Sequence, residues 1–140
     1  VPVFFLLVFG IIEFGWGFYQ NLDVRHGARE GSRLVAVNYK TTAEPTPADQ
    51  TTQIVNELCA RMDSASTISV QISRSGTAAV GQKFQVTVRK PLQQITGFLG
   101  PILNGKVLTS TVEGRIEQTA TWASDGPPPA APAALARTCP

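Results

Sequence analysis

Acid–base and nucleophilic chemistry have little to work with in this chain. Its 140 residues include one histidine, His26, set in a charged stretch (DVRHGAREGSRLVAV, residues 23–37) where Glu30 follows one helical turn later. No HExxH, CxxC, GxSxG or phosphate-cradling glycine loop occurs, and no Ser, Asp or Glu is spaced to specify a nucleophile with its base. We expect no catalysis, no cofactor and no metal. The residues that stand out could instead do physical work. Glu13 is an isolated carboxylate inside an apolar run, with Gly10 and Gly17 one turn to either side. Arg25, Arg29 and Arg33 recur every four residues, and Cys59 and Cys139 are the two cysteines.

The element that positions the first two groups must be a long helix over residues 1–38. Residues 1–22 (VPVFFLLVFGIIEFGWGFYQNL) are almost wholly apolar. At about 1.5 Å per residue they extend roughly 33 Å, against the ~30 Å hydrocarbon core of a bilayer. A secretory h-region would be shorter and end at a small-residue cleavage site, which is not found here. A buried core helix is the competing reading, but the rest of the chain offers too little apolar sequence to wrap it. Phe4, Leu7, Ile11, Phe14 and Phe18 make a lipid-like stripe at three- and four-residue steps. Gly10, Glu13 and Gly17, flanked by Phe9 and Trp16, make another, where a neighbouring helix could approach closely. A carboxylate in hydrocarbon needs a partner. Glu13 therefore faces protein, or else stays protonated or reaches the headgroups.

Residues 23–38 turn amphipathic. Val24, Gly27, Ala28, Gly31, Leu34 and Val35 form a narrow small-and-aliphatic stripe suited to packing on a sheet or a second helix. The arginine row is a solvated face, a contact for anionic headgroups, or a contact for acids on a neighbouring subunit. Glu30 can pair with Arg33, for a few tenths of a kcal/mol at about one turn's spacing.

The remainder reads as one small α+β domain, residues 39–120. Threonines and prolines in YKTTAEPTP break the first helix, and residues 49–63 carry Ile54, Val55, Leu58 and Met62 at helical spacing. Residues 67–74 and 84–88 alternate apolar and polar in a hairpin pattern. Leu92, Ile95 and Leu99 suggest a short crossing, and residues 106–119 are β-rich with a bulge expected near Gly114. About three antiparallel strands result, covered by the two helices. The tail, residues 121–140, is Pro/Ala-rich and expected to be extended and weakly ordered, tethered by Cys139. A Cys59–Cys139 disulfide would need an oxidising compartment, and two unpaired thiols are the alternative. The net charge of +2 comes from scattered residues with no aromatic-and-basic groove, so nucleic acid is not expected as a partner.

Pro2 with its aliphatic–aromatic run, GIIEFG at residues 10–15 and GAREGSRLVAV at residues 27–37 resemble the TadE-like minor pilins, or pseudopilins, of tight-adherence (type IVc) pili. The resemblance continues in element order to about Thr119. It implies a pilin-like fold and a structural subunit that waits in the bacterial cytoplasmic membrane before entering a filament, with a minor, initiating or tip role favoured over a shaft role. Its partners would be other pilins, of the same or another kind, the assembly machinery and, before assembly, lipid. On this reading Gly10, Glu13, Trp16, Gly17, Gly27 and Gly31 carry helix packing. The family's peptidase site and fifth-position glutamate fall before Val1, and Glu13 corresponds to the family's second acid. Arg25, Arg29, Arg33 and Lys40 alone would hold the domain in the cytoplasm. The family's basic leader and the cysteine pair argue for the outside, and we adopt that placement. A single-pass, membrane-anchored extracytoplasmic binding module is the alternative.

Overall fold

The computed structural model describes residues 1–62 and 67–140. Its first helix, α1 (Pro2–Ala36), has Pro2 in its first turn, where a missing N–H costs nothing. The helix stops at Asn38, whose φ of 55° turns the chain. The Asn38 amide donates to the Val35 carbonyl and the Tyr39 amide to that of Leu34, which together satisfy the last turn. The Asn38 side-chain oxygen also accepts from Gln50 and from the Thr121 amide, tying the end of α1 to the next helix and to the chain leaving the sheet.

The second helix, α2 (Pro47–Ala60), is capped by Thr46, whose hydroxyl accepts from the Asp49 amide. Asp63, the expected last residue of this helix, lies outside the described residues. Strands β1 (Ser69–Arg74), β2 (Lys83–Pro91) and β3 (Val107–Arg115) follow, with a short helix α3 (Gly100–Leu103) before β3. A fourth strand, β4 (Arg137–Thr138), adds to the edge of β1, so the antiparallel sheet has the order β3-β2-β1-β4. It thus has one strand more than the sequence implied.

Alternation decides the layers. Val70 and Ile72 of β1 and Phe84, Val86 and Val88 of β2 bury one sheet face against Val24, Ala28 and Val35 of α1 and Ile54, Val55 and Leu58 of α2. Small residues let α1 approach. A Cβ on Gly31 would stand 2.3 Å from Leu58 Cδ1 and 3.0 Å from Val86 Cγ1. The expected bulge at Gly114 is replaced by unbroken pairing, Phe84 opposite Gly114. The glycine is there because a Cβ would lie 2.5 Å from the Phe84 ring.

The tail departs most from expectation: it is a strap across the other sheet face. Arg89 donates to the carbonyls of Ala133 and Pro129, Gln71 to that of Gly126, and the Leu135 amide donates to Ser69 Oγ. Leu135 is buried beneath the strap, whereas Trp122, at the start of the tail, packs edge-on against Phe84 in the helix-side core. Proline and alanine make such burial cheap: prolines bring no N–H that needs a partner, and the sheet's polar side chains serve the carbonyls. Cys139 closes the strap through a disulfide to Cys59 on α2, with Cα atoms 5.7 Å apart.

Candidate membrane-anchoring and packing site

Among the described residues, α1 is the helix long and apolar enough to cross a membrane, and only 6% of its apolar stretch is buried. The lipid-like stripe Phe4, Leu7, Ile11, Phe14 and Phe18 is exposed throughout. The domain therefore completes its core without this segment, unlike a soluble fold wrapped around a central helix. Gly10 faces open space, and Phe9 beside it is exposed.

Glu13 behaves differently. It is 3% exposed. Its Oε1 accepts from the Ile95 amide at 3.2 Å, and its Oε2 accepts from the Thr96 amide at 3.0 Å and the Thr96 hydroxyl at 2.6 Å. The carboxylate's partner within the chain is thus the loop between β2 and α3, and no neighbouring helix is needed to satisfy it. Both oxygens act as acceptors, and two of the donors are backbone amides with no strand partner.

The contact is the lower end of a longer seam. Asp23 faces Lys90 at 3.6 Å, both largely buried. Gln20, fully buried, donates to the Gln93 carbonyl at 2.7 Å and accepts from the Gln93 amide at 2.9 Å. Gly17 faces Leu92, whose Cδ1 would stand 3.9 Å from a Cβ placed there. As the chain leaves β2 it descends α1 toward its N-terminus, covering helix positions 23 to 13, or about 15 Å of helix. Trp16 stacks on Tyr19 beside this seam, with ring centroids 5.4 Å apart.

Above the seam, Gly27 abuts Met62 and Gly31 abuts Leu58 and Val86, so these two glycines serve packing inside the chain. Arg25, Arg29 and Arg33 are exposed. Glu30 pairs with Arg61, just past the end of α2, which also pairs with Glu57, in place of the local Arg33 contact. At the top of α1, burial and then the neighbouring Glu57 carboxylate push the Tyr39 phenol above its ordinary value. Ordinary sequence patterning carries no sign of the residue 92–96 contacts. The polar QQIT set in an otherwise apolar loop is the one local hint.

Comparison with known proteins agrees with the N-terminal pattern: residues 1–33 match the family model of TadE-like proteins. No curated protein and no solved structure matches the chain.

Proposed function

We propose that this chain is a structural pilin subunit of a type IV-like, tight-adherence pilus. It is held in the bacterial cytoplasmic membrane by the apolar half of α1 before assembly, and in the filament by helix–helix packing afterwards. The observation that carries this is an apolar helix left almost wholly exposed by a domain that is otherwise complete. The TadE-like match over the same residues supports a pilus setting. In this reading the domain lies outside the membrane, its disulfide formed in an oxidising compartment. The exposed Phe stripe and Gly10 exchange lipid for other pilins, and the assembly machinery extracts the subunit. The role is structural rather than catalytic, and resemblance favours a minor, initiating or tip position.

The test is to shear surface appendages from producing cells and quantify this chain by mass spectrometry beside other pilins. A small, reproducible share is the expected result, and dominance of the sheared fraction would make it the shaft subunit. Complete retention in the membrane fraction would overturn the pilin reading in favour of an anchored binding module.

A further inference from the structure

The loop that satisfies Glu13 is itself oddly built for a water-facing segment. Between β2 and β3 it exposes three large apolar side chains, Ile95 at 56%, Phe98 at 48% and Ile102 at 69%. Several of its backbone amides turn the other way, while among its polar side chains Gln93 stays exposed and Gln94 donates to Asn104 at the surface. The amides of Gln93, Ile95 and Thr96 go to Gln20 and Glu13 on α1. Further on, the Gly100 and Ile102 amides bond to the carbonyls of Gly97 and Leu99, and the Leu92 amide to Lys106. Backbone amides satisfied within the chain beneath outward apolar side chains is the arrangement a segment needs where water is scarce, because its backbone must be satisfied internally.

Position makes the same point independently. The loop meets α1 between Glu13 and Gln20, within the apolar run itself. Fastened there, it shares the depth of those helix positions. If residues 1–22 cross the ~30 Å hydrocarbon core, positions 13–20 fall in the half of the bilayer on the domain side. Tyr19, stacked on Trp16 and about 5 Å short of the domain-side end of the run, is of the type that populates membrane–water interfaces. Exposed Lys106 at the end of the loop and Arg25 on α1 suit anionic headgroups just above.

We infer that residues 92–103 form a second membrane-contact element, a foot that seats Ile95, Phe98 and Ile102 in the lipid leaflet on the domain side. The inference rests on the membrane-anchored reading of α1. The foot fixes how far the domain sinks and which way it faces, so the subunit is presented to a growing filament in one orientation instead of swivelling on a bare helix.

The test uses tryptophan emission from the full chain with its disulfide intact, at low protein density in phosphatidylethanolamine–phosphatidylglycerol vesicles carrying brominated acyl chains. Trp16→Phe removes the indole within the apolar run, and Trp122, buried in the core, supplies a constant background. Into this chain Phe98→Trp, Phe4→Trp or Val80→Trp is placed, reporting the foot, the anchor and the far β1–β2 turn. The foot predicts that Phe98→Trp loses emission in brominated lipid as Phe4→Trp does, while Val80→Trp does not. Quenching of Phe4→Trp alone would overturn the foot and leave the anchor standing. That outcome includes the case in which Phe98 is covered by another subunit. Quenching at none of the three would overturn both.

Discussion

Glu13→Leu isolates what the carboxylate does. The substitution keeps α1 apolar, so insertion is preserved, but it strands the Ile95 and Thr96 amides and the Thr96 hydroxyl. An amide left buried without a partner costs about 1–3 kcal/mol. Two of them, partly relieved as the loop lifts, should weaken the seam by about 2–4 kcal/mol. At about 1.4 kcal/mol per factor of ten, hydrogen exchange at these amides should quicken by roughly 30- to 1000-fold. The β2 amides above, such as Val86, should keep their protection because the α1–α2–sheet core is untouched. Glu13→Gln should fall between, since one oxygen still accepts while the new NH2 faces donors. The assay is exchange followed by NMR on the inserted protein, alongside a sheared-pilus count for the same variant. Unchanged exchange at Ile95 and Thr96 in an inserted Glu13→Leu protein would refute the argument. Slowed filament incorporation together with faster exchange would tie the seam to assembly.

Gly31→Ala should lower stability by about 1–2 kcal/mol in denaturant titration, overpacking against buried Leu58 and Val86 outweighing the better helix propensity. Gly27→Ala meets Met62 first, a pliable side chain that can shift, and should cost less than Gly31→Ala, within about 1 kcal/mol of the parent. Cys139→Ser opens a link between residues 80 apart and should cost about 4.5 kcal/mol in the chain-entropy model, read as a lowered melting temperature equal to that on reduction. Raising the pH should weaken the domain once it passes the ordinary Tyr value of 10.0. The Tyr39 phenol is pushed up in the folded chain, so the unfolded chain releases its proton first. Tyr39→Phe should remove that alkaline loss, as followed by phenolate absorbance and unfolding together.

Much of the architecture is legible in the sequence because it is periodic. The small-residue stripe from Val24 to Val35 runs at helical spacing, and Val70 and Ile72 against Phe84, Val86 and Val88 alternate at strand spacing. The seam is not legible, because Glu13 and Thr96 lie 83 positions apart and neither has a local pattern that names the other. Composition misleads at the tail. Pro- and Ala-rich sequence normally lacks the apolar bulk to fold, yet here Arg89, Gln71 and Ser69 hold it down through its backbone. The same polar residues read as a solvated sheet face when only their alternation is considered. Gly114 misleads in a smaller way: a glycine within a strand suggests a bulge, whereas this one makes room for a ring.

The seam also changes which part of α1 a neighbour can use. Read from spacing alone, Gly10, Glu13 and Gly17 form one continuous patch for helix packing. In the folded chain Glu13 and Gly17 are covered by residues 92–96, while Gly10 remains open and the Phe4–Leu7–Ile11–Phe14–Phe18 stripe remains exposed. A neighbouring helix in the proposed filament therefore has close approach available at Gly10 and large-side-chain packing along the Phe stripe. It meets no unpaired carboxylate on either. That division removes an obstacle to assembly. A subunit whose only acid in this segment is already satisfied within its own chain can trade lipid for protein along its apolar faces without leaving a buried charge unpartnered in either setting. Bringing a large side chain to Gly10 should then impair packing between subunits while leaving the fold and the exchange protection at Thr96 unchanged. Loss of Thr96 protection in Gly10→Leu would show that the two faces are coupled and that the division does not hold.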